Sequence, residues 1–102
     1  MNRKTVIKIK DSVDLFLSNN RYLMIYYMNS RQRKSFRINN EMIRLLENID
    51  GKRTVEELVQ SMQNMYMIEP DYTLQVIELL QRNRIITEVV AEQNILSEES
   101  IS

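Results

Sequence analysis

Cysteine and histidine are absent from this 102-residue chain, and glycine and proline occur once each. Each absence removes a class of chemistry. Without cysteine there is no disulfide, and without either residue there is no zinc site of the usual ligand spacing. General acid–base and nucleophilic sites lose their commonest participants. A serine without a histidine partner would need an activated lysine, and Lys4, Lys8, Lys10, Lys34 and Lys52 all fall in exposed or turn contexts. The paired carboxylates Glu56-Glu57 and Glu98-Glu99 are adjacent in sequence. On a helix such neighbours diverge by about 100 degrees and do not converge on a substrate. A single glycine excludes a glycine-rich phosphate loop. These absences argue against catalysis by this chain alone, and no metal or other cofactor is expected.

Long apolar runs are also missing. The longest stretch, Leu23 to Met28, is broken by tyrosines and falls far short of the roughly 20 residues that span a bilayer. The basic start Met1-Asn2-Arg3-Lys4 leads into alternating residues instead of a signal core, so a soluble cytoplasmic protein with no membrane partner is expected. The length suits one core. That core must be aliphatic, with seven methionines and five tyrosines helping to fill irregular gaps. Net charge is zero, but through Val55 there are 12 Lys and Arg against 5 Asp and Glu, and from Glu56 onward 2 against 9. The halves carry +7 and −7. Such opposed halves attract each other within a fold, or form a basic sheet that receives an acidic peptide.

Along the chain, Thr5 to Lys10 alternates apolar and basic residues as a half-exposed extended segment does. Val13 to Leu17 reads as a strand and Ser18-Asn19-Asn20 as its break. Arg21 to Met28 reads as a second strand with both faces at least partly covered. After the polar turn Asn29-Ser30-Arg31-Gln32, Lys34 to Ile38 forms a third, shorter strand with Phe36 and Ile38 inward. A meander of this kind is followed by helices.

From Ile38 to Leu58 one helix, its stop, a turn and the next helix start follow in close order. Asn39 and Asn40 offer side-chain oxygens to a helix start, and Met42, Ile43, Leu46 and Ile49 recur at helical spacing. The helix is expected to stop at Asp50-Gly51, where glycine enters the left-handed conformation without steric cost. Thr54 and Glu57 have the spacing of a capping box. The second helix then carries Val55, Leu58, Val59, Met62 and Met65 or Tyr66 on its seam. Pro70 suits the first turn of a third helix, with Thr73, Val76, Ile77 and Leu80 toward the core and Asn83 at its end. Ile85 to Val90 makes a short strand or extended cover. Residues 1–90 thus form one domain, and 91–102 a flexible acidic tail.

The Ile38-Asn39-Asn40 start, the turn Ile49-Asp50-Gly51-Lys52-Arg53-Thr54-Val55 with Glu56-Glu57-Leu58, and the later Leu79-Leu80-Gln81-Arg82-Asn83-Arg84-Ile85-Ile86 resemble the pyrroloquinoline quinone biosynthesis protein D family, also called RiPP recognition elements. The resemblance runs from about Val13 to about Glu88. This chain has Ile38-Asn39 where the family often has Leu-Asn. It also has Asn83-Arg84 near a usual glycine, so Asn83 is expected to take the left-handed conformation. The resemblance implies an α+β winged helix-turn-helix fold, a three-stranded antiparallel sheet followed by a three-helix bundle. Members bind the leader segment of a ribosomally made precursor peptide between the third strand and third helix, and deliver the peptide to a modifying enzyme. Carried over by position, that cleft is Lys34, Ser35, Phe36 and Arg37 on the strand and Tyr72, Gln75, Val76 and Leu79 on the helix.

The residues themselves point to the same place. If Lys34 to Ile38 ends the meander, its unpaired amides and carbonyls can accept an added strand. Tyr72, Leu74 and Leu79 give the third helix more apolar surface than one buried face requires. Their other explanation is packing against Ile85, Ile86 or the tail. Arg33 and Arg37 would favour carboxylates in a bound peptide. The same edge allows strand-to-strand pairing in a homodimer, or docking of a partner protein by a purely structural module. A DNA-binding winged helix is the further alternative. Against nucleic acid, the third helix carries Glu69, Asp71 and Glu78, with Arg82 and Arg84 only at its end. The cluster Arg31, Arg33, Lys34 and Arg37 reads as a solvated hairpin.

Overall fold

The computed structural model describes residues 2–89. Strands β1 (Ile7–Ile9), β2 (Val13–Ser18), β3 (Tyr22–Tyr27) and β4 (Gln32–Arg37) precede helices α1 (Asn40–Asn48), α2 (Val55–Tyr66) and α3 (Pro70–Arg82), and β5 (Ile86–Glu88) follows. The fold is α+β. A three-stranded antiparallel sheet has the order β2-β3-β4, and β1 pairs with β5 in a separate two-stranded ribbon.

Local chemistry explains the turns. Between β2 and β3, Asn19 and Asn20 both take positive φ, 54° and 57°, which asparagine tolerates better than most residues. The Arg21 amide closes this turn on the Ser18 carbonyl at 3.0 Å. Ordinary strand residues there would splay the hairpin. Register then aligns Leu23 with Phe36 and Ile25 with Lys34 across β3 and β4.

The core lies on one face of this sheet. Leu23 and Ile25 are buried against a cluster that includes Ile7, Leu58, Met62, Leu80, Ile85 and Ile86. Of the two β3 faces expected to be at least partly covered, one buries Leu23 and Ile25, while on the other Tyr26 is half-buried and Tyr22 and Met24 are exposed. The β3 run is apolar throughout, but only the parity of Leu23 and Ile25 meets the helical side. Met65 and Tyr66 are likewise exposed, so the α2 seam ends at Met62.

Helix α1 starts as expected, with the Asn39 side chain accepting from the Met42 amide at 2.9 Å. It ends sooner than expected, at Asn48, with Ile49 already extended. Asp50 is the cause: its Oδ1 accepts from the amides of Lys52 at 2.9 Å and Arg53 at 3.2 Å, a local turn that competes with helix. Gly51 does take positive φ, 78°, but inside that turn. In α2 the capping box is complete, with Glu57 N to Thr54 Oγ1 at 3.1 Å and Thr54 N to Glu57 Oε1 at 2.8 Å. The amides of Val55 and Glu56 donate to the carbonyls of Thr5 and Arg3, both at 2.8 Å, so the N-terminal arm satisfies two more free donors.

Helix α3 buries Thr73, Val76, Ile77 and Leu80, the expected stripe. Its end differs. Asn83 has φ −89° and its side-chain amide donates back to the Leu79 carbonyl at 2.9 Å. That bond holds Asn83 near the helical region and passes the left-handed conformation to Arg84, φ 59°. The expected acidic tail, residues 91–102, lies outside the described residues. Among the described residues no helix is long and apolar enough to cross a membrane.

Candidate functional site

In an antiparallel sheet, successive residues direct their N–H and C=O groups to alternate neighbours. The Ile38 amide donates to the Arg21 carbonyl at 2.8 Å, which fixes the parity of β4. Counting back through the register, Phe36, Lys34 and Gln32 bond to β3. Arg33, Ser35 and Arg37 therefore turn their main-chain groups toward the free edge. The bond from the Met28 amide to the Ser12 carbonyl, 2.9 Å, gives β3 the same alternation from its other side. No described strand pairs with that edge, since β1 goes to β5.

Beside it stands α3. Tyr72, Gln75, Val76 and Leu79 occur at i, i+3, i+4 and i+7, one helical stripe, and together line a hollow of about 400 Å³ with Met42, Glu78 and Arg82. Val76 is buried, Tyr72 and Leu79 are half-buried and Gln75 is exposed. Both ends of the interval between the β4–α1 segment and α3 are tied by side chains. At one end Asn39 Nδ2 donates to the Tyr72 hydroxyl at 2.7 Å. At the other, the Tyr27 hydroxyl donates to the Asn83 carbonyl, and Lys34 Nζ lies 3.5 Å from Asn83 Oδ1. A second hollow of about 490 Å³ opens there, lined by Tyr27, Ser30, Gln32, Lys34, Arg82, Asn83 and Arg84. Arg82 borders both hollows.

The electrostatics differ along this track. The Lys34 end gathers Lys34, Arg82 and Arg84, whereas Glu78 borders the hollow nearer Tyr72. Burial pushes the Tyr27 hydroxyl above its ordinary value, partly opposed by the nearby Arg84 guanidinium, so it is a neutral donor at physiological pH.

Of the nine residues expected at the site, the five on β4 divide by strand parity. Lys34 and Phe36 share the helix-facing side with Leu23 and Ile25. Arg33, Ser35 and Arg37 have side chains on the opposite face, aligned with Tyr26, Met24 and Tyr22. Only their main-chain groups border the edge on the cleft side. Met42, Tyr27 and Asn83 were not anticipated. Met42 read as ordinary core, and the Tyr27–Asn83 contact joins residues 56 apart with no sequence signal to connect them. Compared with known proteins, the chain matches no family model, no curated protein and no solved structure.

Proposed function

We propose that this chain is a non-catalytic winged-helix domain of the pyrroloquinoline quinone biosynthesis protein D type, a RiPP recognition element. It binds the leader segment of a precursor peptide by strand addition and presents the peptide to a modifying enzyme in the cytoplasm. The observation that carries the reading is a β4 edge with no described partner strand, alongside which α3 is held by the Asn39–Tyr72 and Lys34–Asn83 contacts. Main-chain bonds at Arg33, Ser35 and Arg37 supply affinity, and alternate peptide side chains supply specificity. Residues pointing inward enter the apolar hollow. Residues pointing outward become cross-strand neighbours of Arg33, Ser35 and Arg37, where the arginines favour carboxylates. The resemblance of the Ile38–Leu58 segment supports the same assignment.

The test is a titration of labelled candidate leader peptides, with duplex DNA as control and ionic strength varied. Saturable peptide binding that Leu79→Asp weakens, with helical content retained, supports the proposal. Duplex binding that falls steeply with salt supports a DNA-binding domain instead.

A further inference from the structure

The face of the sheet turned away from the helices is not an ordinary solvated surface. One face of an antiparallel sheet is normally apolar and the other polar. Here the outer positions of β2 and β3 carry Phe16, Tyr22 and Met24, with 59%, 45% and 40% of their surface exposed, and Tyr26 half-buried beside them. Their register makes three rows. Asp14, Tyr26 and Arg33 form one, Phe16, Met24 and Ser35 the middle one, and Ser18, Tyr22 and Arg37 the third. The arginines thus sit on one border, at either side of an apolar middle row. Neither is paired with a carboxylate among the described residues. Asp14, the one acid on this face, is two strands away, about 10 Å at ordinary strand spacing. A hollow of about 440 Å³ opens among Phe16, Met24, Ile25, Tyr26, Arg33 and Lys34.

We infer that this outer face is a docking surface for an acidic, extended segment of a partner protein that carries one large apolar side chain. The geometry fixes the pattern. Arg33 and Arg37 are four residues apart on β4, about 13 Å, with the Phe16–Met24–Ser35 row midway. Same-side residues of an extended chain repeat at about 6.7 Å. An apolar residue over the middle row therefore brings residues two before and two after it level with the two guanidinium groups. The occupant reads acid, any residue, large apolar, any residue, acid. Met24 beside two aromatic groups suits an apolar side chain of variable shape. Two cations on a single border fit two carboxylates better than a phosphate backbone, which needs a continuing basic track. The surface is distinct from the β4 edge and does not depend on strand addition there.

The experiment uses the full chain and fluorescein-labelled peptides containing Glu-Ser-Phe-Ser-Glu. Matched peptides have Gln for Glu, or Ala for Phe, and a short oligothymidylate is the nucleic-acid probe. Saturable binding of the first peptide is expected, weakened roughly tenfold or more by either peptide change. Phe16→Ser and Arg37→Glu, both at exposed positions, should weaken it similarly. Leu79→Asp, on the helical side, should leave it within about twofold. The inference is overturned if the first peptide does not bind, if Phe16→Ser and Arg37→Glu bind it as the parent does, or if oligothymidylate binds more tightly. Loss of binding in Leu79→Asp also overturns it, because the peptide would then occupy the helical side of the molecule.

Discussion

Proline at position 35 separates the β4 edge from the β4 ladder. The parity set by the Ile38–Arg21 bond directs the Ser35 amide away from β3, so Ser35→Pro removes a donor that has no strand partner among the described residues. Edge strands admit proline at such positions. The stability cost should stay within about 1 kcal/mol, since no sheet bond is lost. Peptide binding should suffer far more. One main-chain bond is worth about 0.5–1.5 kcal/mol net, and the peptide carbonyl left facing the ring costs a further 1–3 kcal/mol or so if it stays buried. The sum, roughly 1.5–4.5 kcal/mol, corresponds to about a tenfold to roughly two-thousandfold weaker affinity. Fluorescence anisotropy of a bound leader peptide reads the affinity, and thermal melting by circular dichroism reads the fold. Lys34→Pro supplies the contrast. The Lys34 amide faces Ile25, so that variant should lose sheet stability as well as binding. Strand addition is refuted if Ser35→Pro binds leader peptide as well as the parent while melting at the same temperature.

Three further outcomes test the local physics. Thr54→Ala removes the acceptor for the Glu57 amide and should cost about 1 kcal/mol, a fall of about 4–8 °C in melting temperature. Gly51→Ala places a Cβ 3.4 Å from Lys8 Cβ, an ordinary contact, so its cost of about 1 kcal/mol should come from the φ of 78° alone and appear in a denaturant titration. The Lys52 amide, with that of Arg53 and the Arg53 charge, holds the Asp50 carboxyl below its ordinary value. A depressed carboxyl stabilises the fold above its unfolded value, near pH 4, and loses that contribution as pH falls through the folded value. Asp50→Asn should therefore flatten the decline of melting temperature below about pH 4.

Helices were the most legible part of the sequence. The α3 stripe Thr73, Val76, Ile77 and Leu80 and the Thr54–Glu57 box stand as read, because both depend on residues a few positions apart. The end of α1 was misplaced for an equally local reason: the Asp50 side chain captures two amides before Gly51 is reached. Strand faces were harder. Every second residue of β3 is apolar in either parity, so the sequence of Tyr22 to Tyr27 does not say that one face lies open. For the site, Tyr72, Gln75, Val76 and Leu79 are what the family resemblance implies by position, and on α3 they share one stripe. The sides taken by Arg33 and Arg37 depend on a register that pairs them with Tyr26 and Tyr22, which only the folded hairpin defines.

Amide hydrogen exchange with and without a bound leader peptide tests the edge most directly. The amides of Arg33, Ser35 and Arg37 have no sheet partner among the described residues and should exchange quickly, then slow together when the peptide binds. Those of Lys34 and Phe36, already bonded to β3, should change little. Protection confined to α3, with the three edge amides still exchanging freely in the saturated complex, would contradict strand addition.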